Sequence, residues 1–202
     1  MTTPAIPREF LPKMPKSEIN QLPITKWEGS VRLIQSSQDF LLAMEELQHE
    51  TVLGFDTETK PVFRKGQNNS PSLIQLAGEN LVLIIQLTAL EDIQPLVRLF
   101  GDSKVRKVGV GLAWDLKQLQ EVFSFQANEF VDLGEKARKS GIESQGLRTM
   151  AARFFGYRIS KRAQCSNWQR RHLKPHQLAY AATDAWISRE IYFLMKSWGL
   201  FQ

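Results

Sequence analysis

The chain has 202 residues and a formal net charge of +5, with 43% hydrophobic and 23% charged residues. These values fit one globular domain with a sizeable core, and the single cysteine, Cys165, excludes an intramolecular disulfide. The longest strongly apolar run, residues 81–85, is too short to cross a membrane, and the N-terminus lacks a signal-peptide pattern. We therefore expect a soluble, intracellular, cytoplasmic protein without a membrane partner.

The first thirty residues are rich in proline. Five of the nine prolines precede residue 24. Because proline favours extended backbone, we predict a proline-rich arm over residues 1–30 that lies outside the packed core. The remaining residues, 31–202, form the predicted folded domain.

From residue 30 onwards, the hydrophobic pattern alternates between strand and helix periods. Strands are predicted at residues 30–35, 51–59, 71–78, 80–87, 104–111 and 129–133. Helices are predicted at residues 37–50, 92–100 and 112–123, and over most of the chain from residue 134 to the C-terminus apart from a basic loop at 159–174. Strands first and interleaved helices later predict an α/β domain with a mixed β-sheet flanked by helices.

Two acidic residues follow the buried strand in "VLGFDTETKP". Side chains alternate along a strand, so Asp56 and Glu58 are expected on the same face of the sheet. Two such charges about 4 Å apart repel by roughly 1 kcal/mol in water and by several times more in a protein interior. The stretch also fits a strand that runs into a solvated acidic turn, but a missing cation explains it better when the other acids are included.

Two further segments place a carboxylate on an apolar helix face. Asp115 lies at the edge of the stripe that begins at Leu112, and Tyr180 and Asp184 share a face with Ile187. Both segments also have a purely structural explanation. Asp115 could accept a hydrogen bond from a backbone amide near the start of its helix, and Tyr180 and Asp184 could be an ordinary buried tyrosine and a salt-bridged acid. Because burying an unpaired carboxylate is costly, the convergence of three segments predicts a divalent cation site with oxygen ligands.

The region before the last acid is strongly basic. Residues 144–183 contain no aspartate or glutamate and eight arginines and lysines. This asymmetry predicts a phosphate-binding surface, and Trp168 beside Arg170 suggests base stacking, although a tryptophan is more often half buried. His172 and His176 resemble a zinc pair in spacing, but Pro175 lies between them and surface positions are the better interpretation.

The segments "FDTET", "GVGLAWD" and "YAATDA" occur in this order. They resemble the three motifs of the DEDD superfamily of 3′-to-5′ exonucleases, in its tyrosine branch. The segment before the third motif resembles the corresponding part of ribonuclease D and of the Werner syndrome helicase exonuclease domain. The resemblance implies a ribonuclease H-like fold.

The resemblance also implies the roles of individual residues. Asp56, Glu58, Asp115 and Asp184 would be catalytic acids that bind two divalent ions, Mg²⁺ or Mn²⁺, with Asp56 between both ions. Tyr180 would position the attacking water. The substrate would be DNA or RNA with a free 3′ end, and the product a nucleoside 5′-monophosphate. The predicted nucleic-acid contacts are Thr57, Lys161, Arg162, Trp168 and Arg170.

Two other functions are open at this point. The first is a catalytically inactive nucleic-acid-binding module on the same fold, which would need a distorted site. The second is a metal-dependent endonuclease on a ribonuclease H-like fold. The tyrosine–aspartate pair at Tyr180 and Asp184 favours the exonuclease.

Overall fold

The structure is a computed structural model, and it describes residues 5–63, 66 and 68–201. Eight strands are present in this part of the chain: β1 (Ile24–Thr25), β2 (Ser30–Ile34), β3 (Val52–Thr59), β4 (Pro71–Ala77), β5 (Leu81–Gln86), β6 (Arg106–Gly109), β7 (Phe130–Asp132) and β8 (Arg158–Ile159). The helices are α1 (Lys16–Gln21), α2 (Ser37–Glu46), α3 (Gln94–Gly101), α4 (Leu112–Val122), α5 (Leu133–Lys139), α6 (Leu147–Phe155) and α7 (Pro175–Ser197). Short 3₁₀ helices lie at Arg8–Phe10 and Leu87–Ala89.

Six strands form one mixed sheet in the order β2-β5-β4-β3-β6-β7. The pairs β2–β5, β3–β6 and β6–β7 are parallel, whereas β4 is antiparallel to both β3 and β5. β1 and β8 pair in parallel as a separate two-stranded sheet. The predicted mixed sheet of an α/β domain is therefore confirmed.

The two faces of the sheet are covered by different helices. Leu53 and Phe55 on β3 belong to a core cluster that includes residues of α2, α3 and α4. Val52 belongs to the opposite cluster, which includes residues of α5, α6 and α7. Because side chains alternate along β3, one strand contributes to both cores. The long helix α7 consequently lies on the face to which the even-numbered residues of β3 point.

The N-terminal segment, defined here as residues 5–29, packs against the domain. Ile19 is buried, and Phe10 stacks on Trp198 with a ring-centroid distance of 5.1 Å and contacts Phe154 edge-on at 5.7 Å. The prediction of an extended arm outside the core is therefore wrong for this segment. Its prolines separate short elements whose apolar side chains have partners near the C-terminus, and local composition carries no information about such partners. The division of the chain at residue 30 stays a prediction.

None of the helices in the described ranges is both long and apolar enough to cross a membrane.

Candidate active site and metal centre

Three carboxylates meet where α7 crosses β3. Asp56 and Glu58 lie near the end of β3, and Asp184 lies on α7. One oxygen atom from each of the three carboxylates lies within 4.8 Å of the others. Asp184 and Glu58 are buried. The structure therefore brings together the acids of the first and third sequence segments.

A glycine allows this close approach of helix and strand. A Cβ atom at Gly54 would overlap the backbone carbonyl oxygen of Ala185 on α7. Gly54 is two residues before Asp56 and points to the same face of the sheet, and Ala185 directly follows Asp184. The absence of a side chain at Gly54 thus permits the short distance between the two segments that carry Asp56 and Asp184.

Asp115 joins the site through a hydroxyl group. The Thr57 side chain donates a hydrogen bond of 2.8 Å to the Asp115 carboxylate. The start of α4, one turn earlier, is held because the Leu112 amide donates to Asp132 at 3.0 Å. Asp132 also accepts the Glu135 amide and so caps α5, as its sequence context indicates. Asp115 is not part of the three-oxygen group, so its predicted contact with a second ion stays a prediction.

Tyr180 lies one turn before Asp184 on α7, and its ring centroid is 5.9 Å from that of Trp168. Trp168 has no exposed surface. The prediction that Trp168 stacks on nucleic-acid bases is wrong, because neither face of its ring is accessible. Its place in a loop without periodicity gave no sign of burial, and its structural role is to support the ring of Tyr180.

The buried acids resist ionisation. Burial, together with the charges of Asp184 and Asp115, raises the pKa of Asp56 well above its ordinary value. Burial and then the charge of Asp56 raise the pKa of Glu58 to about 10. Burial raises the pKa of Asp184 to about 7, although interaction with the Tyr180 hydroxyl partly offsets this rise. No lysine or arginine in the described part of the chain forms an ion pair with these three acids.

The same effect extends to the neighbouring groups. Burial raises the pKa of Asp115 to about 6 despite the hydrogen bond from Thr57. Burial and the charge of Asp184 raise the pKa of Tyr180, so its hydroxyl keeps the proton at neutral pH. Within the described residues, the buried Oδ1 atom of Asp184 has no hydrogen-bond partner. Clustered carboxylate oxygens, mutual repulsion and an unpartnered buried oxygen together fit a divalent cation.

The predicted basic contacts fall into two groups. Arg162 is exposed and lines a groove of about 340 Å³ that also includes Tyr180, whereas Lys161 lines a neighbouring cleft. Arg170 is exposed elsewhere, on a loop whose carbonyl groups are anchored by Gln86 and Gln35. The structure thus places Arg162 in the groove that contains Tyr180, Lys161 in the neighbouring cleft, and Arg170 in neither of them.

Two features of the site escaped the sequence analysis. Gln75 is paired with Asp56 in the register of β3 and β4, so both side chains point to one face. Its side chain is fully buried, and neither amide atom has a partner in the part of the chain that the structure describes. A polar residue in the middle of the apolar run "LIQLA" was the available signal. The second feature is the wall that residues 24–26 of the N-terminal segment add to the Tyr180 groove.

Comparison with known proteins decides the family. The sequence model described as "3'-5' exonuclease" matches residues 31–197. The chain belongs to this family. The predicted family is therefore confirmed. The predicted ribonuclease H-like fold is also confirmed, because the chain shares its fold with solved exonuclease structures that have this fold.

Individual exonuclease relatives agree. The chain is similar to the bifunctional 3'-5' exonuclease/ATP-dependent helicase WRN of Mus musculus, with 27% identity over 86% of this chain and 13% of that protein. It is similar to the exonuclease mut-7 homolog of Homo sapiens, with 29% identity over 88% of this chain and 23% of that protein. The chain therefore spans less than a quarter of the length of either relative.

Solved exonuclease structures show the same fold. The Nibbler EXO domain of Aedes aegypti has a TM-score of 0.75 and 25% identity, covering 86% of this chain and 92% of that chain. Escherichia coli RNase D, an exoribonuclease involved in structured RNA processing, has a TM-score of 0.76 and 22% identity, covering 84% of this chain and 45% of that chain. The second likeness concerns the fold alone.

Proposed function

We propose that the chain is a metal-dependent 3′-to-5′ exonuclease that hydrolyses terminal phosphodiesters of DNA or RNA and releases nucleoside 5′-monophosphates. The single observation that carries the proposal is the meeting of Asp56, Glu58 and Asp184, each with one oxygen within 4.8 Å of the others. Membership of the 3′-5′ exonuclease family supports this interpretation over other uses of a carboxylate cluster.

The acids would hold two divalent cations, Mg²⁺ or Mn²⁺. Asp56, Glu58 and Asp184 would hold the first, Asp56 would also contact the second, and Asp115 would support the second from its place beside Thr57. Such ions neutralise the phosphate, lower the pKa of the attacking water and stabilise the leaving 3′ oxygen. Oxygen ligands favour these hard cations over zinc or copper.

Tyr180 would orient the water that attacks the terminal phosphate. Its pKa is raised by burial and by Asp184, so at neutral pH the hydroxyl is a hydrogen-bond donor and acceptor but not an anionic base. Packing on Trp168 would restrict the ring, and the hydroxyl interacts with Asp184. Tyr180 therefore acts by positioning, and proton removal falls to the carboxylates or solvent.

Exposed cations would bind the substrate. Lys161, Arg162 and Arg170 stay predicted phosphate contacts, and Thr57, which holds Asp115, stays a predicted contact at the terminal nucleotide. The substrate would be a strand with a free 3′ end. An intracellular, cytoplasmic location of the protein remains part of the proposal.

The test is degradation of matched DNA and RNA oligonucleotides, as 5′-labelled linear strands and as internally labelled circles, in Mg²⁺ and in Mn²⁺. We expect a ladder of products shortened from the 3′ end, release of nucleoside 5′-monophosphates and no cleavage of circles. The Asp56→Ala variant should lose hydrolysis while keeping the circular dichroism spectrum of the wild type.

Each alternative has its own outcome. Cleavage of circles would indicate an endonuclease, and binding without hydrolysis in either metal would indicate an inactive binding module. Wild-type turnover by Asp56→Ala would show that the metal assignment is wrong. Degradation of only the DNA or only the RNA series would identify the natural substrate class.

A further inference from the structure

The N-terminal segment lies outside residues 31–197, which match the exonuclease family, yet the structure fixes its position. β1 pairs with β8 through Ile24–Arg158 and Thr25–Ile159. The Arg158 side chain also donates a hydrogen bond of 2.9 Å to the Leu22 carbonyl oxygen. These contacts hold the segment beside the basic loop that follows β8.

Between this segment and α6 lies a cleft of about 360 Å³, called here the basic cleft. Its lining residues include Lys16 and Asn20 from the segment, Arg148 from α6 and Lys161 from the basic loop. The cleft thus has three cationic side chains, and none of its described lining residues is acidic. The cations come from three different elements and surround a common space.

The cationic groups are available to an anion. Lys16 and Lys161 are exposed, and neither they nor Arg148 forms an ion pair in the described part of the chain. Arg148 is half-buried, and its guanidinium group donates a hydrogen bond of 3.1 Å to the Asn20 side-chain oxygen. This bond uses one donor of the guanidinium fork and leaves the others for phosphate oxygens.

The basic cleft adjoins the groove at the candidate active site. Ser160 and Arg162 line the groove that contains Tyr180, whereas Lys161, between them in the sequence, lines the basic cleft. Consecutive Cα atoms are 3.8 Å apart, so the two spaces lie on either side of one stretch of backbone. The N-terminal segment borders both, through Ile24–Lys26 at the groove and Lys16 at the cleft.

We propose that the basic cleft binds the phosphodiester backbone of the substrate strand on the 5′ side of the scissile bond. The inference rests on the proposed exonuclease function, because a 3′ end at the acids requires the rest of the strand to leave the site. The repeating phosphates of a strand match three cations that surround an open cleft beside the Tyr180 groove. The N-terminal segment is then part of the substrate-binding surface.

The test measures binding of a labelled 12-nucleotide single strand, as DNA and as RNA, by fluorescence anisotropy without divalent metal at 50–200 mM salt. In the double variant Lys16→Gln/Arg148→Gln, we expect affinity at 0.1 M salt to fall roughly fivefold for each lost contact. The slope of log affinity against log salt should become shallower by about 1.4. The matched control Arg98→Gln/Lys104→Gln removes two exposed cations on and after α3 and should leave both quantities unchanged.

A length series adds a second criterion. The ratio of kcat/KM for the 12-mer to that for a dinucleotide should fall several-fold in the double variant. The only internal phosphodiester of a dinucleotide is the one to be hydrolysed, so no further phosphate is left to bind in the cleft. Arg148→Lys keeps the charge but changes the bond to Asn20, so near-wild-type affinity of this variant separates charge from local structure.

The results distinguish the two proposals. A double variant with wild-type affinity, salt slope and length ratio overturns the role of the basic cleft, and so does an equal loss in the control variant. Binding needs no catalysis, so failure of the wild-type protein to hydrolyse any strand would contradict the exonuclease proposal even if the cleft binds as expected.

Discussion

Individual side chains at the site are held by groups that do not react. Asp115 is fixed by the Thr57 hydroxyl, and Tyr180 is fixed by the buried ring of Trp168. The ionised acids repel each other, and this repulsion lowers the stability of the metal-free protein. Such an arrangement is expected when a bound cation supplies the missing attraction.

The Tyr180→Phe variant separates orientation of water from metal binding. The phenylalanine ring keeps the contact with Trp168, so we expect the fold and the apparent metal affinity to change little. Loss of the hydroxyl should lower kcat by about 10²-fold, as for loss of a positioned proton-transfer or orienting group. Single-turnover rates over a Mn²⁺ titration measure both quantities.

A second substitution tests whether the contact with Trp168 supports the position of Tyr180. Trp168→Phe leaves the Tyr180 hydroxyl in place but removes part of its support, so it should reduce kcat less than Tyr180→Phe does. If Tyr180→Phe instead weakens Mn²⁺ activation and leaves kcat unchanged, the tyrosine belongs to the metal site and not to water positioning.

At the scale of elements, the site depends on the contact between β3 and α7. Asp56 and Glu58 come from the strand and Asp184 comes from the helix. The distance from Asp184 to the other two acids therefore depends on how closely α7 packs on the sheet. Gly54 permits this close packing because it has no Cβ atom, which would overlap the Ala185 carbonyl oxygen. The geometry of the candidate site is thus a consequence of backbone packing.

The Gly54→Ala variant should damage stability and activity together. The added methyl group overlaps the Ala185 carbonyl oxygen and pushes α7 outward, which moves Asp184 away from Asp56. We expect a loss of about 1–3 kcal/mol in the free energy of unfolding, the usual cost of overpacking, and a reduced kcat. Urea denaturation and hydrolysis rates measure the two effects.

Gly101→Ala is the control, because the nearest atom to its added Cβ is 3.8 Å away. It should keep wild-type activity. Wild-type stability and activity in Gly54→Ala would show that α7 does not set the spacing of the acids.

At the scale of the whole molecule, protonation of the buried acids is coupled to stability. In the unfolded chain an aspartate titrates near its ordinary pKa of 3.8, whereas burial raises the pKa of Asp184 to about 7 in the fold. Between these values the folded protein binds more protons than the unfolded chain, so this group's contribution to stability falls as pH rises. Protons and cations also compete for the same oxygens, so metal affinity should increase with pH.

The Asp184→Asn variant should therefore have a pH-dependent advantage in the absence of metal. Near pH 5, which is above the ordinary pKa of 3.8, part of this contribution is already lost, so the variant should melt at a slightly higher temperature than the wild type. At pH 8, above the raised pKa, the advantage of the variant should be larger. Excess Mg²⁺ should raise the melting temperature of the wild type at pH 8 and have little effect on the variant. Thermal melts in EDTA and in Mg²⁺ measure both effects.

The exposed Glu18→Gln variant on α1 serves as the reference for a neutralised surface acid. If the difference between Asp184→Asn and the wild type in EDTA is the same at pH 5 and pH 8, the buried acid does not carry the proposed linkage.

Local patterns predicted most of the fold and the acids. Alternation along β3 predicted that Asp56 and Glu58 share one face of the sheet, and helical spacing predicted that Tyr180 and Asp184 share one face of α7. Both predictions succeed because each period is a property of a single strand or helix. The same reasoning was wrong for Trp168, which lies in a loop without a period, and for the packed N-terminal segment. Their burial depends on partners that are distant in sequence.

The sequence by itself therefore determined which residues face a common direction, the order of the strands and helices along the chain, and the family to which the three acidic segments belong. Only the tertiary structure decided that the acids meet, through the close contact at Gly54, and that Thr57 connects Asp115 to them. It alone placed Lys16 and Arg148 in one basic cleft. Periodicity is a property of one element, whereas contacts between elements depend on packing between segments that are distant in the sequence.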